Sequence, residues 1–415
     1  MTSREKNKTM LIFILGLLSA IGPFSIDMYL PGFPSIAKDL HTTVSRISLS
    51  LSSFFIGISF GQLFYGPIVD RFGRKAPLYG GLLVYFMSSV ACAFAKSVDQ
   101  LILLRFIQAM GGCAGMVVSR TMVRDLFHVK DNARVFSLLM LVVGVSPIIA
   151  PTLGGYIAAF LGWRYIFIAL SLIAAAILVA VHLRLPESRK PDKAFSLLPQ
   201  HIVSSYIQVI GEPQFHTYAL TGSLASAGLY AYIAGSPYVF MEWFKVSEKL
   251  YGWIFAFIAC GLIGASQINT LLLRRYTSEQ VIKIALLCQS LTGILFFTGM
   301  FLGWLGLTGT ILLSFIFLSC QGCTFPNSSA LSLAPFSKKA GTASALMGAI
   351  QMGIGSMTSA LVGFLGTHSA VPMTGVMACC SMTSFAILLI GSRRIRYRAA
   401  IMEVKEQSAE MISTS

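Results

Sequence analysis

The chain has 415 residues, of which 55% are hydrophobic and only 11% charged, with a mean hydropathy of +0.75. Soluble domains carry about 25% charged residues and disordered chains are poor in apolar ones, so both classes are excluded. What remains is a helical protein that crosses a membrane many times. In that setting a net charge of +15 marks loops on one side of the bilayer rather than nucleic-acid binding.

A helix needs about 20 mostly apolar residues to cross the hydrocarbon core. Read from charge to charge, twelve stretches qualify: 9–37, 47–69, 76–95, 100–119, 135–160, 163–185, 214–241, 250–273, 281–301, 305–325, 341–366 and 371–391. No alternating strand pattern appears, so these are helices of an all-α integral membrane protein rather than barrel strands. The first follows a short basic run but is too long for a signal peptide, which predicts an uncleaved helix. Connections are short except from Arg184 to about Pro213, a segment holding Glu187, Arg189, Lys190, Asp192, Lys193, Pro186, Pro191 and Pro199. The predicted organisation is a six-helix half over 1–185, a cytoplasmic linker over 186–213, a second six-helix half over 214–392 and a cytoplasmic tail over 393–415. The basic residues cluster on one side, which predicts a multi-pass protein with both termini in the cytoplasm. Only Lys38, Arg46, Lys96, Arg164, Lys245 and Lys249 fall on the other side, and Arg105 falls within a span.

Cysteine carries no redox signal. Cys92, Cys113, Cys260, Cys288, Cys320, Cys323, Cys379 and Cys380 all lie in predicted spans, and the Cys320–Cys323 pair lacks a soluble thioredoxin-like context. No metal site and no cofactor are expected. The six histidines (His41, His128, His182, His201, His216 and His368) sit at loops or helix ends. A membrane enzyme would need a nucleophile with its base or a metal constellation, and no HExxH, GxSxG or inward carboxylate pair is present. No repeated filter loop points to a channel. A six-plus-six plan instead fits transporters built from two halves, with the substrate near the midplane between them.

Four local features supply specific residues. The first is Gly66-Pro67-Ile68-Val69-Asp70-Arg71-Phe72-Gly73-Arg74-Lys75 after span 2. Its glycines permit a tight turn, and Asp70 with Arg71 and Arg74 can pair with neighbouring helix ends as a latch; the plainer reading is a topology signal. The run resembles the G-x-x-x-D-R-x-G-R-K signature of the major facilitator superfamily, and the span count, orientation and middle loop match as well. That resemblance implies the major facilitator fold of twelve transmembrane helices in two six-helix halves.

The second feature is Arg105 in span 4, with Gln108, Gly111 and Gly112 after it. It is either an arginine snorkelling to the outer interface, near Asp99, or a buried cation that tunes a carboxylate. The R-x-x-Q-x-x-G pattern resembles the superfamily element implicated in proton coupling. The third is Asp27 in span 1, an acid well inside an apolar span. A mid-helix Asp costs about 2.5–3.5 kcal/mol on insertion scales, so it should face a cavity or a partner. It serves either as a proton-coupling and substrate-binding carboxylate or as a cap for the break at Pro31 and Pro34. The surrounding Ser25-Ile26-Asp27-Met28-Tyr29-Leu30-Pro31 resembles the first helix of the bicyclomycin-resistance (Bcr/CflA) drug exporters. So do Ser119–Leu126, Ser236-Pro237-Tyr238-Val239-Phe240 and Gly341–Leu346 with Gln351. The fourth feature is Gly144–Gly155 in span 5, where Pro147 and Pro151 bend the helix and Gly154 and Gly155 admit a close neighbour. It resembles the antiporter motif of superfamily exporters, which implies a gating role; a merely kinked packing helix is the alternative.

Helical spacing offers a cavity lining: Gly16, Ala20, Pro23 and Asp27 in span 1, and Ser223, Ser226, Tyr230 and Pro237 in span 7. Phe54 and Tyr65, Tyr238, Asn327 after span 10 and Gln351 in span 11 are further candidates. Gly57 and Gly61 form a GxxxG that predicts a close helix contact. A largely apolar cavity with a single inward acid suits lipophilic molecules, neutral or cationic, and argues against phosphorylated or polyanionic cargo, which would want several inward Arg or Lys. The resemblance implies a bacterial inner-membrane exporter exchanging antibiotics for protons; a proton-linked importer of a nutrient or osmolyte is the alternative. Membrane lipid is the other expected contact, nucleic acid is not expected, and a monomer suffices because one chain holds both halves.

Overall fold

The computed structural model describes residues 3–127, 129–189, 191, 199–336, 340–365 and 369–413. His128, Lys190, Asp192, Lys193, Lys338, Lys339 and His368 lie outside the described residues. Helix is the only regular secondary structure among the described residues, with no strand. In chain order they form α1 (Ser3–Asp27), α2 (Phe33–Asp39), α3 (Val44–Phe72), α4 (Lys75–Ala93), α5 (Val98–Leu126), α6 (Val129–Phe160) and α7 (Arg164–Arg184). After α7 come α8 (Pro199–Ile210), α9 (Pro213–Pro237), α10 (Glu248–Leu272), α11 (Ser278–Phe301), α12 (Leu307–Leu333), α13 (Ala340–Leu365) and α14 (Val371–Ser413).

Helix starts follow local chemistry. Thr43, Ser97 and Ser247 cap α3, α5 and α10 by accepting the backbone N–H three residues on, and Thr277 with Gln280 forms a capping box at α11. Among the described residues, eleven helices are long and apolar enough to cross a membrane. The remaining long helix, α9, is rich in Ser, Thr, Gly and Tyr and almost wholly buried among α12, α13 and α14, so protein rather than lipid surrounds it.

Three expected spans change shape. Span 1 is not continuous: α1 ends at Asp27, a 3-10 turn covers Leu30–Gly32, and α2 follows. Pro31 and Pro34 supply no N–H to an α-helical ladder, so the chain breaks there. Span 7 gives way at Pro237 to a π-helical stretch, Tyr238–Trp243. Span 10 runs on to Leu333, which places Asn327 inside α12 rather than after it. The linker region also contains an unanticipated helix, α8, whose Val203, Ile207 and Ile210 are exposed.

Lipid offers helices no hydrophobic drive to associate, so contacts rely on small residues and close packing. A Cβ on Gly57 would lie 2.6 Å from that of Ala109, and one on Gly61 would lie 2.7 Å from that of Cys113, so the GxxxG of α3 is pressed against α5. Two seams join the early helices to the late ones: α3 packs on α13, and α6 packs on α10. Below, the basic face is the side of the Gly66–Lys75 turn, and the far face is the opposite side.

Candidate functional site

Between these seams lies a cavity of about 260 Å³, walled by α1, α3, α5, α6, α9, α10, α12 and α13. Its surface is nearly all apolar: Ile26, Ile58, Phe255, Leu318 and Met352 are representative, with Pro23 and Pro147 from the interiors of α1 and α6. Asp27 is the one carboxylate on its wall. The side chain sits on the last residue of α1, 5% exposed, and no ion pair among the described residues reaches it. Tyr232 and Tyr251 stand within its electrostatic reach, and Tyr251 shares a 2.8 Å hydrogen bond with Ser236. Tyr230 also lines the cavity, its ring edge-on to Phe55 at 4.8 Å.

Arg105 occupies a different environment. It is fully buried, so the snorkelling reading fails, and Asp99 is instead engaged at the surface by Arg46 at 3.1 Å. Among the described residues no carboxylate forms an ion pair with Arg105. The guanidinium donates to Gln108 Oε1 at 2.5 Å and to the Ser25 carbonyl at 2.9 Å. Its carbon lies 4.1 Å from the Phe54 ring centroid and 4.7 Å from that of Tyr29, within cation–π range. Gln108 in turn donates to Ser89, and Ser25 shares a 2.6 Å bond with Tyr85. The network ties α1, α4 and α5 together beside the residue that carries the cavity's charge.

The other predicted site residues are dispersed. Phe54 covers Arg105 and is not part of the cavity wall. Tyr238 lines a separate small crevice with Ser45 and Ser48. Asn327 donates to Asn269 Oδ1 at 2.6 Å, joining α12 to α10. Gln351 reaches Ser226 Oγ at 3.2 Å, alongside Gln321 at 2.6 Å. The cavity therefore gathers Asp27, Tyr230 and Pro147. Ile58, Met116, Tyr232 and Phe255 join them without any polarity or spacing that would separate them from ordinary packing residues.

At the basic face, Arg74 donates to Asp70 at 2.9 Å, to Asp125 at 2.8 Å and to the Val69 carbonyl at 2.8 Å. Burial opposes its charge, but the bonds to Asp125 and Asp70 outweigh that and hold the guanidinium above its ordinary pKa. Glu187, just past α7, accepts from the backbone N–H groups of Arg74 and Lys75 at 2.8 and 3.1 Å and so caps α4. Gly73 takes a φ of +83°, which only glycine adopts without strain, and packs against the Arg189 carbonyl. Arg71 is half-buried in the last turn of α3.

Glycines report how closed each seam is. Towards the far face, a Cβ on Gly154 would overlap the Met28 carbonyl, one on Gly155 would lie 2.6 Å from the Glu248 carbonyl, and one on Gly252 would lie 2.8 Å from that of Pro151. The α3–α13 seam is tight there as well: Gly363 abuts Ser48, and Ser52 bonds Ser359 at 2.9 Å. Towards the basic face, a Cβ on Gly144 of α6, Gly264 of α10, Gly66 of α3 or Gly341 of α13 would meet nothing within 4 Å. The far-face ends are thus shut against backbone; towards the basic face α6 and α10 are open at Gly144 and Gly264, whereas α3 and α13 still meet where a Cβ on Gly348 would overlap the Gln62 side chain and part only at Gly66 and Gly341.

The sequence profile of the Major Facilitator Superfamily matches residues 15–360. The chain belongs to the Major Facilitator Superfamily. It is 30% identical over 405 residues to the bicyclomycin resistance protein homolog of Haemophilus influenzae, covering 95% of this chain and 100% of that one. It is 33% identical over 391 residues to an uncharacterized MFS-type transporter of Bacillus subtilis, covering 93% and 94% of the two chains. Multidrug resistance protein D of Escherichia coli is 27% identical over 90% of this chain and 91% of its own. Among solved structures, a bacterial homolog of the human lysosomal transporter Spinster, in an inward-facing and occupied conformation, superposes with a TM-score of 0.73. That match has 14% identity and covers 93% of this chain and 97% of that one. This member of the superfamily is a multi-pass membrane protein and a secondary transporter rather than an enzyme.

Proposed function

We propose that the chain exports lipophilic drugs or antibiotics in exchange for protons, by alternating access of the Asp27 cavity. The observation that carries this reading is a single carboxylate, free of any ion-pair partner among the described residues, on an otherwise apolar wall. Such an acid is stable neutral while the cavity is dry and stable ionised when water or a cationic ligand reaches it, so its proton and the cargo compete for one position. The relatives named for bicyclomycin and multidrug resistance support a drug cargo.

In this account the halves 1–185 and 214–392 rock about the cavity, joined by the 186–213 segment. The basic face is cytoplasmic, in a bacterial inner membrane, with the 393–415 tail on that side. Gly154, Gly155, Pro147 and Pro151 form the outer seal, and Gly66, Asp70, Arg71, Gly73 and Arg74 form the inner latch. Arg105 holds α1 in place for the proton step, and Phe54, Tyr238, Asn327 and Gln351 contribute by positioning helices or by meeting cargo in another state. A single chain contains the whole pathway, so a monomer suffices. At about 100 mV each proton moved inward supplies about 2.3 kcal/mol, on top of the pH gradient.

The test is transport by purified protein in sealed vesicles, with ethidium as the probe. Export predicts ethidium movement against the proton flow, driven uphill by an imposed pH gradient. Uphill movement without that gradient, or in the same direction as the protons, would overturn the reading, the latter in favour of an importer.

A further inference from the structure

A second cavity, of about 110 Å³, opens at the basic face between α9, α11 and α14, away from the transport cavity. It is lined by Tyr218, Glu279, Lys283, Leu388, Ser392 and Arg393. A liquid water occupies about 30 Å³, so the space takes a group of a few heavy atoms rather than a drug. The capping box at Thr277 and Gln280 fixes the start of α11 and brings Glu279 and Lys283, one helical turn apart, to the same face. Tyr218, buried in α9, donates to Glu279 at 2.8 Å and holds that carboxylate against the inner wall. Lys283 and Arg393 stand exposed at the mouth, and neither has an ion-pair partner among the described residues. One to four residues deeper along the same helices, the surface turns apolar and exposed, with Ile284 and Leu287 on α11 and Ile390 on α14.

We propose that this crevice binds the phosphate of an anionic phospholipid in the leaflet at the basic face. Lys283 supplies a point charge and Arg393 a two-pronged donor, a pairing suited to a phosphodiester. The exposed Ile284, Leu287 and Ile390 lie where the acyl chains must run. A charged loop acting only as a topology signal needs neither a cavity nor an apolar track leading from it. Basic pockets between helices at a membrane surface select lipid headgroups by this combination.

The test is native mass spectrometry of the full chain in detergent, titrated with phosphatidylglycerol, with phosphatidylcholine of the same acyl chains, and with inorganic phosphate. Wild type should retain phosphatidylglycerol in preference to phosphatidylcholine. The Lys283→Gln/Arg393→Gln double variant should lose about thirtyfold in retention, since each basic residue at a membrane surface contributes about 1 kcal/mol. Arg274→Gln/Arg275→Gln removes the same charge from the same face outside the crevice and should stay within about twofold. Each single variant should fall between, which keeps the proposal testable if the double variant does not fold. Equal loss in both double variants, no loss in either single variant, or equal retention of phosphatidylcholine would overturn the proposal. Displacement of phosphatidylglycerol by millimolar inorganic phosphate would assign the crevice to a free anion instead. None of these readouts depends on drug or proton movement, so this proposal and the transport reading fail separately.

Discussion

Two buried charges, far apart along the chain, both lie beside the end of α1 and meet opposite fates. Arg105 is enclosed by Phe54 and Tyr29, bonded to Gln108 and the Ser25 carbonyl, and excluded from the cavity. Asp27, two residues beyond Ser25, faces the cavity with no ion-pair partner among the described residues. A charge held by fixed hydrogen-bond acceptors and aromatic faces gains little from moving. A charge left without a countercharge on an apolar wall gains from any proton or cation that arrives. In the proposed function the fixed cation serves as scaffolding and the unpaired anion as the working group.

The largest effect should come from breaking the scaffold. Arg105→Gln removes a cation held by two aromatic faces and leaves the Ser25 carbonyl with a weaker donor. It should destabilise the protein by about 2 kcal/mol or more and lower the thermal unfolding midpoint in detergent. Arg105→Lys restores the charge without the planar fork and should recover only part of that loss. Full recovery by lysine would mean that charge alone, not the cage, is what matters.

A smaller and more local effect should follow from testing the two ends of α6 against each other. Gly154→Ala forces a methyl into the Met28 carbonyl and should reduce ethidium transport by about tenfold or more while the protein stays folded. Gly144→Ala, on the same helix, meets nothing within 4 Å; it should leave transport within about twofold and stabilise by about 0.5–1 kcal/mol. Similar transport in the two variants would show that close approach at the far face is not part of the cycle.

Much of this arrangement was legible in the sequence, and the rest had a physical reason to be hidden. Span number, the close-packed GxxxG and the isolation of Asp27 follow from hydropathy and helical spacing, which are local properties. The break after Asp27 was signalled by Pro31 and Pro34 but not its depth, because proline forbids a bond without fixing where the chain turns. Arg105 was expected to serve a carboxylate, yet its neighbours Phe54 and Tyr29 come from α3 and the α1–α2 connection. Which faces meet depends on helix rotation, and an apolar span carries no mark of its rotation. Tyr232 and Met352 were missed as cavity residues for the same reason. Helix α8 was overlooked because its apolar positions at Val203, Ile207 and Ile210 are embedded in a segment whose charge and prolines read as linker.

The most direct measurement is proton release on adding ethidium to unbuffered purified protein, comparing wild type with Asp27→Asn. The account predicts release from wild type, saturating with ligand, and none from the variant even where ethidium binding persists. Release of the same size from Asp27→Asn would show that another group carries the proton and that the lone carboxylate of this cavity is not the coupling site.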